Sequence, residues 1–511
     1  MKFQKIIIIT LLQSLIIDLS IAQPLLPVNN DFNFIFEQSV VYNTNFHTSI
    51  RPFNLNEIQI DSARINPFIN YNFFKKGEKT VIYPIGDYSF SKSIKNDNGL
   101  IFSAGAGFMA KLGNKWYIQI NVTENLSKFP LIISEKIDSN RIIPHFGRYL
   151  LKSGNWYNYP LITGQFQYSP WSFLSLAAGV DKHFIGDGYR SMLLSDNAAP
   201  YPFASIMVHI WRIKYLALWA KLNDIDSYSG NTDFHSKFAA IHYFSYNMTN
   251  RINIGFFEAV VWQGQDSAVQ RGFDLNYLNP VIYYRPVEFS LNSPDNANLG
   301  GSFKVRLWKR TFVYGQLFLD DFNFHDFIKN DGWWVNKYGI QAGFKCYNFA
   351  NLDGLFFQAE YNFARPFTYS HSSSLTNYGN EYQSLAHPMG ANFDEMVCIF
   401  RYSSGRWLFS LKTIGAMYGL DTSKISYGKN IYISYNLRNT KNGYGVFTGQ
   451  GLQTYSIYNE AQLSYIIIPK WNFCLKAGFR SMYRTNNLSK ESNNYFFIGI
   501  STLLYNNDVD Y

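Results

Sequence analysis

Ser302-Phe303-Lys304-Val305-Arg306-Leu307 alternates strictly, with Phe303, Val305 and Leu307 on one side and Ser302, Lys304 and Arg306 on the other. A period of two belongs to an extended strand whose faces meet different media. The pattern recurs in Asn472 to Arg480, where Phe473, Leu475, Ala477 and Phe479 oppose Asn472, Cys474, Lys476, Gly478 and Arg480. It returns in Phe356 to Phe363, where Phe357, Ala359, Tyr361 and Phe363 oppose Phe356, Gln358, Glu360 and Asn362. A soluble sandwich would alternate in the same way. The mid-strand ions discriminate, because a dry core must pair each one, whereas the wet lumen of a membrane barrel can solvate them.

Working outward, eighteen strand-length segments are predicted, the first at 68–75 and the last at 495–504. Tight turns such as Lys111-Leu112-Gly113-Asn114 and Trp308-Lys309-Arg310 join some of them. Long polar stretches at 122–156, 261–298, 365–395 and 419–455 separate others. Short turns on one rim and long loops on the other are the habit of outer-membrane barrels. A helix in a loop or plug is expected within 134–152. The fold predicted is therefore an all-β, antiparallel transmembrane β-barrel of about eighteen strands, with long loops partly plugging the lumen.

The first residues bear on compartment. Lys2 and Lys5 precede an apolar run from Ile6 to Ile17, and Ser20-Ile21-Ala22 stands before Gln23. That reads as a cleaved export signal over 1–22, followed by a single barrel domain over 23–511 with a short N-terminal lead-in. The run is too short to span a bilayer, which needs about 20 apolar residues, and Gln23 offers no thiol for a lipid anchor. Aromatic residues make up 18% of the chain against 16% charged, a surplus suited to interfacial aromatic girdles. The three cysteines, Cys346, Cys398 and Cys474, are too far apart for a metal or disulfide framework and read as free thiols.

Catalytic motifs are missing. Gly105-Ala106-Gly107-Phe108-Met109-Ala110 fits a loose nucleotide-binding pattern but lies within a strand, where its glycines serve packing or bending. The histidines lack metal-ligand spacing, so neither a metal nor a cofactor is expected. Asp320-Asp321, Glu288, Asp295 and Asp187 could in principle supply the paired carboxylates of a glycosidase, but loop carboxylates read better as turn caps or arginine partners. The formal charge of +9 is spread out, which argues against nucleic acid and fits either attraction of anionic glycans or contact with anionic head groups.

The loops carry the most distinctive sequence. Gly186-Asp187-Gly188-Tyr189-Arg190-Ser191, continuing through Leu194-Ser195-Asp196-Asn197-Ala198 and Pro200-Tyr201-Pro202, resembles a signature of Wzi-type capsule assembly proteins. Asn279-Pro280 through Tyr284-Arg285-Pro286-Val287-Glu288-Phe289-Ser290 and Pro294-Asp295-Asn296-Ala297 is similar to a second block of that family. Arg365-Pro366-Phe367-Thr368-Tyr369-Ser370-His371, with Leu385-Ala386-His387-Pro388-Met389-Gly390-Ala391-Asn392-Phe393, looks more like its Bacteroidetes branch, which includes the gliding-motility RemB proteins. The resemblance runs from roughly residue 30 to 505. It implies an eighteen-stranded outer-membrane barrel without catalysis, holding exported polysaccharide as a lectin or serving surface gliding.

The expectation is thus an outer-membrane protein exposed at the cell surface, for attachment or assembly of capsular or surface polysaccharide and in possible support of motility. Its partners would be outer-membrane lipid and an anionic polysaccharide. An accessory subunit of a gliding or secretion machine, or a channel, is the alternative. Candidates for glycan binding or for locking the loops are Asp187, Tyr189, Arg190, Asn197, Tyr284, Arg285, Glu288, Asn296, Tyr369, His371 and His387. Arg and Asn offer planar paired hydrogen bonds to sugar hydroxyls and carboxylates, and tyrosine rings can stack on sugars.

Overall fold

A computed structural model describes residues 25–40, 46–54, 78–94, 97–225, 234–264, 271–280, 295–422, 425–439, 443–502 and 509–510. Eighteen long antiparallel strands close into one barrel. In chain order these are β1 (Thr80–Ser93), β2 (Asn98–Leu112), β3 (Trp116–Lys128), β4 (Leu161–Trp171), β5 (Leu174–Asp181) and β6 (Tyr201–Ile210). They continue as β7 (Ile213–Ile225), β8 (Phe234–Asn247), β9 (Ile252–Gln263), β10 (Asn296–Trp308), β11 (Thr311–Leu319) and β12 (Tyr338–Tyr347). The last are β13 (Leu355–Ala364), β14 (Phe393–Ser404), β15 (Trp407–Leu420), β16 (Leu452–Ile468), β17 (Phe473–Thr485) and β18 (Lys490–Ser501). Each strand pairs with its sequence neighbour, and β1 closes the ring on β18 with Asp87 opposite Ser501 and Ser93 opposite Tyr495.

The alternation read from sequence fixes the two faces. Phe303, Leu307, Tyr361, Phe496 and Ile498 point outward and are exposed, as a lipid-facing band requires. Turns such as Gly113–Lys115, Lys309–Arg310 and Gly405–Arg406 cluster on one rim; the stretches 129–160, 182–200, 320–337, 365–392 and 421–451 leave from the other.

Three expectations need correction or placement. The segment at 68–75 and the export signal over 1–22 lie outside the described residues. The strand preceding β2 is β1, which the expected segments do not include; its Pro84 cannot donate to a ladder. Pro84 stands opposite Ala106 of β2, and on the other side the described pairing with β18 runs from Ser93 to Asp87 and is extended by the Thr502 N–H donating to the Gly86 carbonyl at 3.0 Å. The helix expected within 134–152 forms earlier, over Leu131–Asn140, and gives way to short paired segments.

The lumen is largely filled. Residues 25–40 and 46–54 run inside the barrel, where helix α1 (Asn30–Val40) and the segment 46–54 place Phe34, Phe36, Phe46 and Phe53 against Phe312, Tyr347, Phe356 and Ile466. Glu37 anchors this plug, accepting from Arg51 and Lys345, each at 2.9 Å, and from the Tyr347 hydroxyl at 2.7 Å. Burial alone would raise the Glu37 carboxyl, but Lys345 and Arg51 outweigh it and hold it below its ordinary value. Some mid-strand ions are therefore paired with the plug and the loops. Lys304 meets Asp187 at 3.2 Å, and Glu360 accepts from the backbone N–H groups of Tyr189 and Arg190 at 2.8 and 3.0 Å.

Candidate functional site

Most of the sequence candidates are drawn into the barrel. Asp187 is buried between Thr48 and Lys304. The Tyr189 hydroxyl donates to Asp510 at 2.5 Å, and the Arg190 guanidinium meets Asp510 at 2.8 Å and Glu395 at 3.3 Å. His387 shares a 2.8 Å contact with Glu395, its ring stacked on Phe393. Tyr369 donates through its hydroxyl to the Met192 carbonyl at 2.9 Å, and Asn296 donates to the Thr376 carbonyl at 2.8 Å. His371 contacts the Thr376 hydroxyl at 2.7 Å, and burial pulls its pKa down to about 4. These geometries tie loops to one another and to the wall. Tyr284, Arg285 and Glu288 lie outside the described residues. Of the acids, Asp320 pairs with Lys337 at 2.7 Å and Asp295 with Arg271 at 2.7 Å, so they sit in separate ion pairs.

Asn197 is different, because it lines an open cleft of about 330 Å³ at the long-loop rim. Four long connections and the outer ends of β15 and β17 converge there. Lys136 comes from helix α2 (Leu131–Asn140), Tyr382 and Gln383 from the β13–β14 loop, Lys429 and Tyr432 from the β15–β16 loop, Tyr418 from β15 and Arg484 from β17. The described lining holds three cations and no carboxylate. Sequence reasoning missed all of these but Asn197, since residues scattered over such distant connections leave no local signal.

Local structure explains how the tyrosines are presented. Gly379–Asn380 pairs with Gln383–Ser384, leaving Glu381 and Tyr382 at the tip of a hairpin. Both have positive φ, 47° and 59°. Such a two-residue turn normally uses Asn-Gly, so side chains here are held against a backbone preference. The Glu381 and Tyr382 N–H groups are fixed by the Asn223 carbonyl at 2.7 Å and the Asp224 carboxylate at 2.8 Å. In consequence the Tyr382 ring stacks on Tyr432, with centroids 4.3 Å apart and 14° between planes.

Opposite this stack, Lys429 donates to the Met389 carbonyl at 2.6 Å and lies 4.7 Å from the centre of the Tyr418 ring. Burial, reinforced by the neighbouring Lys136 and opposed by Asp421, brings the Lys429 pKa down to about 7. Buried polar atoms also border the cleft: Asn197 Oδ1, Gln383 Nε2 and Arg484 Nε find no hydrogen-bond partner among the described residues. Unmade buried hydrogen bonds are costly, and a polar ligand would satisfy them. Cations, a flat aromatic pair and free amide atoms together suit an acidic, hydroxyl-rich ligand.

Comparison with known proteins supports the fold. Wzi of Escherichia coli, an outer-membrane protein involved in group 1 capsule assembly and described as a carbohydrate-binding β-barrel, superposes with a TM-score of 0.59 at 12% identity, over 93% of this chain and 98% of that one. OprD of Pseudomonas aeruginosa aligns with a TM-score of 0.42 at 9% identity, over 82% of this chain and 94% of that one. No family model matches the chain, and no curated protein does. The chain thus has a Wzi-like barrel fold.

Proposed function

We propose that this protein is a non-catalytic outer-membrane barrel that holds an acidic surface polysaccharide in the long-loop cleft. The observation that carries the reading is the cleft's composition: Lys136, Lys429 and Arg484 without a carboxylate among the described lining residues, beside the Tyr382–Tyr432 stack. Guanidinium and ammonium groups engage sugar carboxylates, and an aromatic face covers the apolar face of a sugar ring. The Wzi-like fold supports the same direction, because that neighbour is described as binding carbohydrate. With the plug on one side, the cleft would face the cell exterior and grip polymer that has already been exported. Retained polymer would serve either as capsule or as the adhesive coat on which cells glide.

Deleting the gene and restoring it with wild type or with Lys429→Gln/Arg484→Gln tests the reading in cells. Loss of surface polysaccharide into the medium, uncorrected by the double variant, is expected. Full retention without the gene would refute it. Spreading on agar, scored in the same strains, assigns the motility role: reduced spreading with lost polymer supports it, and unchanged spreading limits the function to capsule.

A further inference from the structure

Plug and loops fill the barrel unevenly. On one side of the lumen the lining residues of β1, β2 and β18 include Ser89, Ser91, Gly99 and Gly499. Register sets Ser89 opposite Gly499, and Ser91 opposite Gly99. These residues are short, and among the described residues a gap of about 110 Å³ remains along the wall from β14 to β3.

The charge of that gap is one-sided. Arg401, Lys412, Lys476, Arg480 and Lys128 line it, against Asp87 and Glu460. Glu460 is already engaged by Arg480 at 2.5 Å and Lys412 at 3.4 Å, and Lys412 also meets Asp510 at 2.9 Å, which leaves Lys476 and Lys128 to set the sign of the gap. Lys476, near the short-turn end of β17, and Lys128, the last residue of β3 at the opposite rim, have no ion-pair partner among the described residues. Positive side chains are therefore spread from one rim toward the other, with Arg480 four residues farther along β17 than Lys476. Rings or ladders of Lys and Arg select anions, and several weak sites in series let an ion leave as readily as it enters. Low-dielectric walls focus that field further.

We propose that this gap is a passage for small anions past the plug, separate from the polysaccharide cleft. Its recognition chemistry is charge and size alone, so chloride is the probe of choice.

The test is conductance of the purified full-length protein in planar bilayers under a potassium chloride gradient. Discrete conductance with a reversal potential displaced toward that of chloride is expected. Lys476→Glu and Lys128→Glu, at the two ends, should each lower the chloride-to-potassium permeability ratio several-fold, while Lys309→Glu in a short turn should not. Heat-modifiable gel mobility confirms that each variant is a closed barrel. A silent bilayer, an unselective or cation-selective conductance, or a ratio indifferent to both end variants would overturn the proposal. None of these outcomes bears on glycan binding, so the two readings fail independently.

Discussion

Arg190 Nη2 lies 2.8 Å from Asp510 Oδ1, joining the loop after β5 to a residue 320 positions later in the chain. Glu395 and Lys412 complete the network, at 3.3 Å from Arg190 and 2.9 Å from Asp510. All four side chains are buried, so removing one charge strands its partners in a medium that solvates them poorly. Arg190→Met is expected to cost roughly 3–5 kcal/mol, read by urea unfolding of the protein in detergent. A change below about 1 kcal/mol, the range of exposed pairs, would mean that the network is solvated.

The same network sets an acid limit. Burial pushes the Asp510 carboxyl up, but Arg190 and Lys412 more than reverse it and hold it well below the ordinary carboxylate range. A depressed carboxylate adds stability above its unfolded pKa, which is lost as pH falls toward the folded value. Wild type should therefore lose stability as pH drops below about 4. Asp510→Asn should be less stable at neutral pH and lose less on acidification. Parallel curves for the two proteins would exclude Asp510 as the source.

Plug retention depends on Glu37. Glu37→Gln leaves Arg51 and Lys345 buried with a weaker acceptor, so α1 should loosen while the strand ring stays closed. Limited proteolysis should then cut within the N-terminal segment of the variant but not of wild type. Resistance equal to wild type would show that the phenylalanine cluster alone holds the plug.

Much of this architecture was legible in sequence, and the reason is geometric. Alternation in Ser302 to Leu307 reports a strand directly, since side-chain direction there depends only on the period of two. The strand signal of β1 is weakened by Pro84, which cannot donate to a ladder, and the strand that pairs with it to close the ring lies some 400 residues away. The residues Lys304 and Glu360 were legible as inward-facing ions. Their partners, Asp187 and the backbone at Tyr189 and Arg190, were not, because long-range pairing leaves no local pattern. The cleft was opaque for the same reason, with Asn197 its one foreseen member.

Tyr382 allows presentation to be separated from stability. Tyr382→Gly would relieve a left-handed backbone by about 1–2 kcal/mol and forfeit a stacking contact of about 0.5–1.5 kcal/mol. These two offset each other, and the lost burial of the ring, which packs against the loop core, should lower the unfolding midpoint modestly while affinity for acidic oligosaccharide falls. Unaltered affinity would remove the Tyr382–Tyr432 stack from the site.

Lys429 gives the cleft a pH dependence. With a pKa of about 7, it is charged in mild acid and largely neutral at pH 8.5. An anionic ligand favours the charged form, so affinity should fall as pH rises through 7, and Lys429→Arg, charged throughout, should remove that step and leave only the fall near 8 set by Lys136, which burial also brings down. A wild-type profile flat between pH 6 and 8.5 would contradict the assignment.

The most direct test is titration calorimetry of the detergent-solubilised barrel at pH 6, with tetragalacturonate and maltotetraose as probes. The account predicts saturable binding of the acidic sugar, at least about tenfold stronger than the neutral one, a preference worth about 1.4 kcal/mol that Lys429→Gln/Arg484→Gln abolishes. Equal affinity for both sugars, or acidic-sugar binding untouched by the double variant, would contradict it.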